Sequence, residues 1–241
     1  MLENNSYLLN LYRNLRSFYY KNISSDEKLI KIRFKRSLKR ELNLENPNLF
    51  NDKIQWLKLN WFDPLAIICA DKYAVRNFVE DKVGKNYLNK LYAVYDSVDE
   101  IDISNLPNSF VMKATHSTGD NLICYDKSKV NWKKQFKRMR KWLDKNIYWT
   151  TREWVYKDIK PRIICEKILT DENGNLPMDY KIFCFHGEPK LIQVDIDRYG
   201  EHKQLFYNTN WSQQQYNSSS NNTKDNLTLD KPKKNWGRWL I

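Results

Sequence analysis

The chain has 241 residues, and hydrophobic residues make up 41% of it. A chain of this length and apolar content can bury a sizeable core, which excludes an intrinsically disordered protein. Lysine and arginine number 41 against 29 aspartate and glutamate residues, so the formal net charge is +12. This excess favours anionic partners, namely nucleotides, acidic sugars, nucleic acid or an anionic membrane surface, and does not choose among them.

Cysteine spacing and hydropathy indicate the compartment. Cys69, Cys124, Cys165 and Cys184 stand singly and form no CxxC pair. This pattern predicts buried thiols in a reducing compartment, not a disulfide framework or a zinc site. The amino terminus lacks a signal-peptide core, and no run approaches the roughly 20 apolar residues of a membrane span. We therefore expect a cytoplasmic protein without a transmembrane segment.

The amino-terminal part is predicted to be helical, with two basic amphipathic stretches within residues 1 to about 45. The second of them is KLIKIRFKRSLKREL, and the apolar face of the first consists of Leu8, Leu9, Leu11, Tyr12 and Leu15. Their basic side is either a solvated surface or a contact with a membrane surface or an acidic polymer. Pro47 and Pro64 bracket a further helix, and another opens at Asp71-Lys72 and ends at Gly84.

After Pro107 the pattern changes to strands. In FVMKA, Phe110, Met112 and Ala114 point to one face while Lys113 points to the other. A loop of small residues then leads into NLICY, which predicts a β-hairpin. An amphipathic helix with a basic outer side is predicted over residues 131–146.

A second hairpin is predicted near the carboxyl end. The phrase RIICEKIL indicates a short buried strand, and DYKIFCFHGEPKLIQVDIDR indicates a hairpin with His186-Gly187 at its tip. The following WSQQQYNSSSNNTKDN is predicted to be a polar loop. We expect no completed element after Pro232.

Lys113 beside a small-residue loop suits phosphate binding. Small residues let main-chain N–H groups approach anionic oxygens, and a lysine on a strand adds a fixed positive charge. The loop is neither a Walker loop nor a dinucleotide fingerprint, because the required glycines are absent. By itself this hairpin does not distinguish a phosphate site from an ordinary turn.

The order of four sequence motifs along the chain is a more specific signal than the hairpin alone. DKYAVR, LPNSFVMKATH, KPRIICEK and DYKIFCFHGEPKLIQVDIDR resemble the ATP-grasp fold over residues 48–210, with the closest likeness to the TupA-like branch from teichuronopeptide biosynthesis. The resemblance implies an α+β protein in which two small mixed subdomains clamp a nucleotide. The implied divisions are a helical region at 1–107, a lid subdomain at 108–169, and a partial carboxyl-terminal subdomain with a disordered-looking tail at 170–241.

The resemblance also implies site residues. Two lysines would meet the nucleotide phosphates beneath a loop, and a hinge segment would meet adenine through its main chain. The implied nucleotide-binding residues are Lys72, Lys113, His116, Ser117, Thr118, Gly119, Glu166, Lys167, Ile168 and Leu169. Lys181 and Arg198 are the implied catalytic residues, facing the phosphates or a carboxylate substrate.

Structural alternatives stay open for these residues. Lys72 and Arg76 also suit an exposed helix, and Glu166 suits an ion pair at a strand end. His116 also suits a strand-end histidine held by a hydrogen bond. The polar face of the second hairpin around Asp195 is either solvent-facing or cleft-lining.

The implied function is ATP-dependent carboxylate–amine ligation through an acyl phosphate. The implied substrates are an acidic sugar or polysaccharide precursor and an amino compound, in bacterial surface or capsular polysaccharide biosynthesis. Peripheral contact with the inner membrane face stays open, and nucleic acid is the less favoured partner. One alternative is a glycosyltransferase that uses the DID at 195–197 as a metal-binding pair. Another is a non-catalytic basic module that binds acidic polymer or nucleic acid.

Magnesium is expected for the resembled family, but its ligands are not predicted here. The family takes Mg²⁺ ligands from an Asp and a Glu on strands beyond the second hairpin, and this sequence ends before any such strands. We therefore assign no metal ligand and expect an incomplete enzyme, for which an active and an inactive form both stay open. The phrase KPKKN would be encoded by an adenine-rich run, which suggests a frameshift as the hypothesis for this ending.

Overall fold

The structure is a computed structural model that describes residues 24–171, 174–197, 200–216 and 227–232. It divides into two compact units, Met1–Ile168 and Leu169–Ile241. The fold is mixed α+β, with helices at the amino-terminal end and two antiparallel sheets, which confirms the predicted class at this level. The finer division into three segments, at 107 and 169, stays a prediction.

Four of the six α-helices that the structure describes in the first unit lie close to their predicted places, although the helix predicted to open at Asp71 begins at Val75, and the short helices at 64–70 and 148–151 were not predicted. The six helices in the described residues are α1 (Asp26–Leu38), α2 (Phe50–Asn60), α3 (Pro64–Ala70), α4 (Val75–Val83), α5 (Trp132–Leu143) and α6 (Tyr148–Thr151). The helix α4 ends at Gly84, whose φ of 97° favours glycine, as predicted. The first predicted amphipathic stretch lies outside the described residues, whereas α1 falls in the second.

The first unit contains a four-stranded antiparallel sheet in the order β1-β4-β2-β3. Its strands are β1 (Leu91–Tyr95), β2 (Phe110–Ala114), β3 (Asn121–Cys124) and β4 (Ile163–Glu166). The pairing of β2 with β3 confirms the predicted hairpin. The strand β1 was not predicted. It covers the outer side of β4, which explains why all four residues of β4 are buried.

One face of this sheet packs against α5. Phe110, Met112 and Ala114 are all 0% exposed and share a core cluster with Met139 and Trp142. The alternation of β2 therefore turns out as predicted, with Lys113 on the face away from α5. That second face carries the site described below.

The second unit contains a four-stranded antiparallel sheet whose strands follow chain order. These are β5 (Asp179–Phe185), β6 (Glu188–Ile196), β7 (Lys203–Tyr207) and β8 (Gln213–Gln214). The hairpin of β5 and β6 confirms the prediction, and His186 and Gly187 form its turn with φ values of 54° and 80°. The prediction of a polar loop was wrong at β8, because pairing with β7 organises a glutamine segment of low strand propensity.

The cysteine prediction was half wrong. Cys124 and Cys165 are buried, but Cys69 and Cys184 are exposed, and all are free thiols. Cys69 lies on the short helix α3 and Cys184 on the edge strand β5, where single apolar residues remain in contact with water. Burial raises the pKa of Cys165 to about 12, so this thiol stays protonated and unreactive.

No helix in the described part of the chain has the length and apolar character needed to cross a bilayer.

Candidate nucleotide-phosphate site

Two lysines from different elements share one environment in the first unit. Lys72 lies in the turn between α3 and α4, and its main-chain N–H donates to the carbonyl of Thr115 at 3.2 Å. Its Nζ donates to the carbonyl of Ser117, and lies 3.5 Å from that of Thr115. Burial lowers the pKa of Lys72, and the positive charge of Lys113 lowers it further. The two amines are therefore close enough to repel each other.

Glu166 on β4 forms ion pairs with Lys113 on β2 and with Arg76 on α4. Glu166 is 6% exposed, and its carboxylate accepts from Lys113 Nζ at 2.9 Å and from Arg76 Nη1 at 2.9 Å. Arg76 also donates to the carbonyl of Asn89 at 2.6 Å. Glu166 is therefore a buried ion-pair bridge, and the geometry holds the Lys113 ammonium above the sheet.

Sequence reasoning did not include Arg76 in the site. Its position four residues after Lys72 was the available signal, because residues at that spacing lie on one side of a helical turn. Which carboxylate it reaches was not readable from the sequence. Glu166 lies 90 positions further along the chain.

The site keeps an excess of positive charge. Asp71 is paired with Arg162 at 3.8 Å, and Asp120 with Lys145 at 2.7 Å. Within the described residues, Lys72 makes no ion pair of its own and donates to main-chain carbonyls. An additional anion would therefore be stabilised here.

The loop at 115–120 is held at its base and open at its tip. Asp120 accepts from Ser117 Oγ at 2.6 Å and from Lys145 Nζ at 2.7 Å, while its carbonyl accepts from Ala114 N at 3.0 Å. Thr118 and Gly119 are exposed, and Gly119 has a φ of 76°. The main chain at the tip is consequently accessible to a ligand. The contact of Asp120 with Lys145 had no signal in the sequence.

His116 anchors this loop. Its side chain is 2% exposed, and Nε2 lies 3.0 Å from the carbonyl of Trp142 on α5. Burial lowers the pKa of His116, and the carbonyls of Trp142 and Lys145 partly oppose this effect. A buried, neutral imidazole bonded to main chain favours the structural alternative for His116 over contact with a phosphate.

The predicted hinge lies where the chain passes from one unit to the next. The N–H of Lys167 donates to the carbonyl of Lys90 at 2.9 Å, and its own carbonyl accepts from Asn89 Nδ2 at 2.8 Å. The Lys167 side chain is exposed. Ile168 ends the first unit, and Leu169, which is 51% exposed, begins the second.

A protein-family model described as TupA-like ATPgrasp matches residues 52–234, which is more than half of the chain. The chain belongs to the TupA-like ATP-grasp family. The resemblance found in the sequence is thereby confirmed, and membership implies nucleotide binding and ATP-dependent ligase-type activity. Searches of the curated proteins and of the solved structures found no match.

The second unit of this ATP-grasp protein contains a buried carboxylate network. Asp195 is 1% exposed, and its Oδ2 forms an ion pair with Lys181. Its Oδ1 accepts from Gln193 at 2.8 Å and from Gln204 at 2.9 Å, and lies 3.1 Å from His202 Nε2. Burial by itself raises the pKa of Asp195, but the hydrogen bonds from these four residues together hold it well below its usual range.

This network leaves the DID motif without an open acidic pair. The Asp195 carboxylate is occupied by protein donors, and Asp197 has a φ of 45° and accepts from the N–H of Glu201 at 2.8 Å. The glycosyltransferase alternative required both carboxylates to hold a metal. Of the implied catalytic pair, Lys181 is engaged with Asp195, and Arg198 lies outside the described residues.

The described residues do not fit a magnesium site. They contain no group of three or more His, Cys, Asp and Glu side chains arranged to hold a metal ion. The carboxylates near Lys72 each have a cationic protein partner. The expectation for Mg²⁺ therefore stays a prediction from the family.

Proposed function

We propose that this ATP-grasp protein is a carboxylate–amine ligase of bacterial surface or capsular polysaccharide biosynthesis, working in the cytoplasm. The observation that carries the proposal is the closeness of Lys72 to Lys113 beside a loop whose tip, Thr118 and Gly119, is exposed. In this proposal residues 108–169 act as the lid subdomain and 170–241 as part of its partner, with the hinge at Glu166–Leu169.

Charge supports a phosphate ligand for the lysine pair. Burial and the neighbouring Lys113 make the protonated form of Lys72 less stable than in water, and a phosphate between the amines would reverse this effect. Phosphate oxygens are also stronger acceptors than the carbonyls that Lys72 now meets. The N–H groups of the exposed tip residues Thr118 and Gly119 would add uncharged donors.

The proposed reaction has two steps. A carboxylate oxygen of the substrate attacks the terminal phosphorus of ATP, ADP leaves, and an acyl phosphate forms. The amine nitrogen then attacks the acyl carbon, phosphate leaves with the electrons of the broken bond, and the nitrogen loses a proton as the amide forms. Both steps gather negative charge, so Lys72 and Lys113 would stabilise the phosphate oxygens.

Two further groups of residues have proposed roles. Glu166 and Arg76 would act as positioning residues, because they hold the Lys113 amine at a fixed place. Lys181 and Arg198 would face the phosphates or the substrate carboxylate. The net charge of +12 supports an acidic sugar or polysaccharide precursor as one substrate.

The test is calorimetric binding of ATP to the full chain, with and without Mg²⁺. We expect Lys72→Met and Lys113→Met each to weaken binding by about 10- to 100-fold, which corresponds to loss of one charge-assisted hydrogen bond. Lys133→Met is the matched control, because it removes the same charge from an exposed position on α5. Its affinity should stay within about twofold of the parent.

Two results would contradict the proposal. One is equal ATP binding by the site variants and the Lys133→Met control. The other is tighter binding of a UDP-sugar than of ATP, which would favour the glycosyltransferase alternative. Release of ADP that depends on both a carboxylate substrate and an amine would establish the reaction class.

A further inference from the structure

The helix α2 exposes its apolar side and buries a charge. Asp52 is 3% exposed and accepts from Arg40 at 2.9 Å, whereas Ile54 and Leu57 are 37% and 38% exposed. Trp61, which follows the helix, continues the same side at a spacing of four residues and is 45% exposed. Leu59 packs against the cluster of Ile30, Phe34 and Leu42, but a surface helix of a globular protein usually turns more of its apolar side chains inward than this.

The segment that follows α2 also exposes apolar side chains. Phe62 is 67% exposed, and Leu65 and Ile68 on α3 are 40% and 42% exposed. We use the name α2–α3 apolar surface for Ile54, Leu57, Trp61, Phe62, Leu65 and Ile68. Single exposed apolar residues are ordinary, but such a concentration in one short segment marks an interaction surface.

The aromatic residues of this surface are held in place. The rings of Trp61 and Phe62 lie 5.7 Å and 4.6 Å from the ring of Trp154, measured between centroids. Phe62 nevertheless remains 67% exposed and Trp61 45% exposed. Packing therefore fixes them in an outward position, which lowers the entropy lost when a partner covers them.

Two lysines flank this surface and are balanced locally by Glu153 and Asp63, so the positive excess that favours an anionic partner is that of the whole chain, +12. A rotation of about 100° per residue puts Lys53 and Lys58 on either side of the line through Ile54 and Leu57. Lys58 is bound to Glu153 at 3.5 Å, while Lys53 is exposed. The carboxylate of Asp63 is occupied as the cap of α3, where it accepts from the N–H of Leu65 at 2.9 Å.

We propose that the α2–α3 apolar surface docks onto the interfacial region of an anionic lipid bilayer. Trp61 and Phe62 would enter the boundary between head groups and acyl chains, while Lys53 contacts the anionic head groups. Exposed Trp, Phe and Leu beside lysine are the features of helices that lie in a membrane interface. A second copy of the chain fits less well, since each copy carries a net charge of +12 and the copies repel.

The test is co-sedimentation of the full chain with vesicles. One set contains phosphatidylcholine alone, and the other contains phosphatidylcholine with phosphatidylglycerol. We expect binding to the anionic set that weakens as salt is raised. The double variant Leu57→Ser/Phe62→Ser should reduce the partition coefficient by about tenfold or more, because two apolar side chains stay in water. Lys53→Gln should reduce it by about fivefold.

Matched controls separate this surface from other features. Val83→Ser removes an apolar side chain that is 55% exposed on α4, and Lys133→Gln removes a lysine from α5. Both controls should bind vesicles as the parent does. Thermal unfolding and ATP binding of every variant check that the fold is intact and keep this test independent of the ligase proposal.

Three results would overturn the membrane proposal. The first is no binding of the parent chain to anionic vesicles. The second is equal partition onto anionic vesicles by the parent and the double variant, or vesicle binding that is weakened by Lys133→Gln and not by Lys53→Gln. The third is concentration-dependent self-association that Phe62→Ser abolishes, in the absence of vesicle binding, which would assign the surface to a second copy.

Discussion

Replacement of Asp195 by asparagine tests the carboxylate network of the second unit. The side chain is 1% exposed and is bonded through both oxygens, to Lys181 on one side and to Gln193 and Gln204 on the other. Asparagine has almost the same shape, so it changes the charge and one acceptor without opening a cavity. We expect the variant to fold and to be less stable at about pH 7.

The expected loss in the free energy of unfolding follows from the individual contacts of Asp195. The amide oxygen of asparagine can still accept from Gln193 and Gln204, but its NH₂ group would face the Lys181 ammonium. The loss is one charge-assisted hydrogen bond, about 1.5–3 kcal/mol, together with some weakening of the others. Lys181 is 48% exposed and regains water, so the cost stays below the roughly 3–5 kcal/mol of a stranded buried charge. We expect a loss of about 2–3 kcal/mol.

The effect should depend on pH in a defined direction. The folded chain holds the pKa of Asp195 below its ordinary value of 3.8, so the carboxylate contributes its full stabilisation above that value. The contribution is lost as the pH falls through the folded pKa, because the folded carboxyl then also takes up a proton. The difference between parent and variant should be constant from about pH 7 to 5 and shrink below about 3.8.

The assay is urea unfolding followed by circular dichroism, with hydrogen exchange of residues 179–207 as the local measurement. Glu188→Gln is the control, because Glu188 pairs with Lys190 in the same unit and both side chains are exposed, at 69% and 56%. The control should leave the midpoint unchanged within error. Equal stability of Asp195→Asn and parent at about pH 7, or a difference that persists undiminished at acid pH, would refute the reasoning.

Three further predictions concern the first unit. Met139→Ala should lower the free energy of unfolding by about 2–5 kcal/mol in urea titrations, because Met139 is 0% exposed and its loss opens a cavity; a loss near zero contradicts the core assignment. Glu166→Gln should cost about 1–3 kcal/mol, since Arg76 and Lys113 lose their shared carboxylate, and a double-mutant cycle with Arg76→Gln should show coupling. Ser25→Ala should cost about 0.5–2 kcal/mol and speed hydrogen exchange in the first turn of α1, because Ser25 Oγ accepts from Lys28 N; unchanged exchange there contradicts this cap.

Local patterns in the sequence predicted much of the fold. The alternation in FVMKA set which face of β2 is buried, and Gly84 set the end of α4, because both effects act between near neighbours. The family was also predicted correctly, from the order of four sequence motifs along the chain. The strands β1, β7 and β8 were missed, since β1 pairs with β4 far along the chain, and β7 and β8 are short strands that form by pairing with their neighbours.

The candidate site was predictable only in part. Lys72 and Lys113 were found through the family resemblance, but Arg76 and the contact of Asp120 with Lys145 were not. Asp195 was expected on a side that is either solvent-facing or cleft-lining, and its exposure of 1% contradicts the solvent-facing alternative. Residue type shows that a side chain can form an ion pair, but not which partner it meets.

The amino-acid sequence by itself determined the family, four of the described helices, the two hairpins and the lysines on which the proposed chemistry depends. The signals for these features are hydrophobic periodicity, turn residues and the order of sequence motifs. All of them can be read along the chain without knowing which distant residues meet. Only the tertiary structure decided that Glu166 bridges Arg76 and Lys113, and that α2 turns its apolar side outward. Those outcomes depend on which distant groups meet and on what is left uncovered once the core is packed.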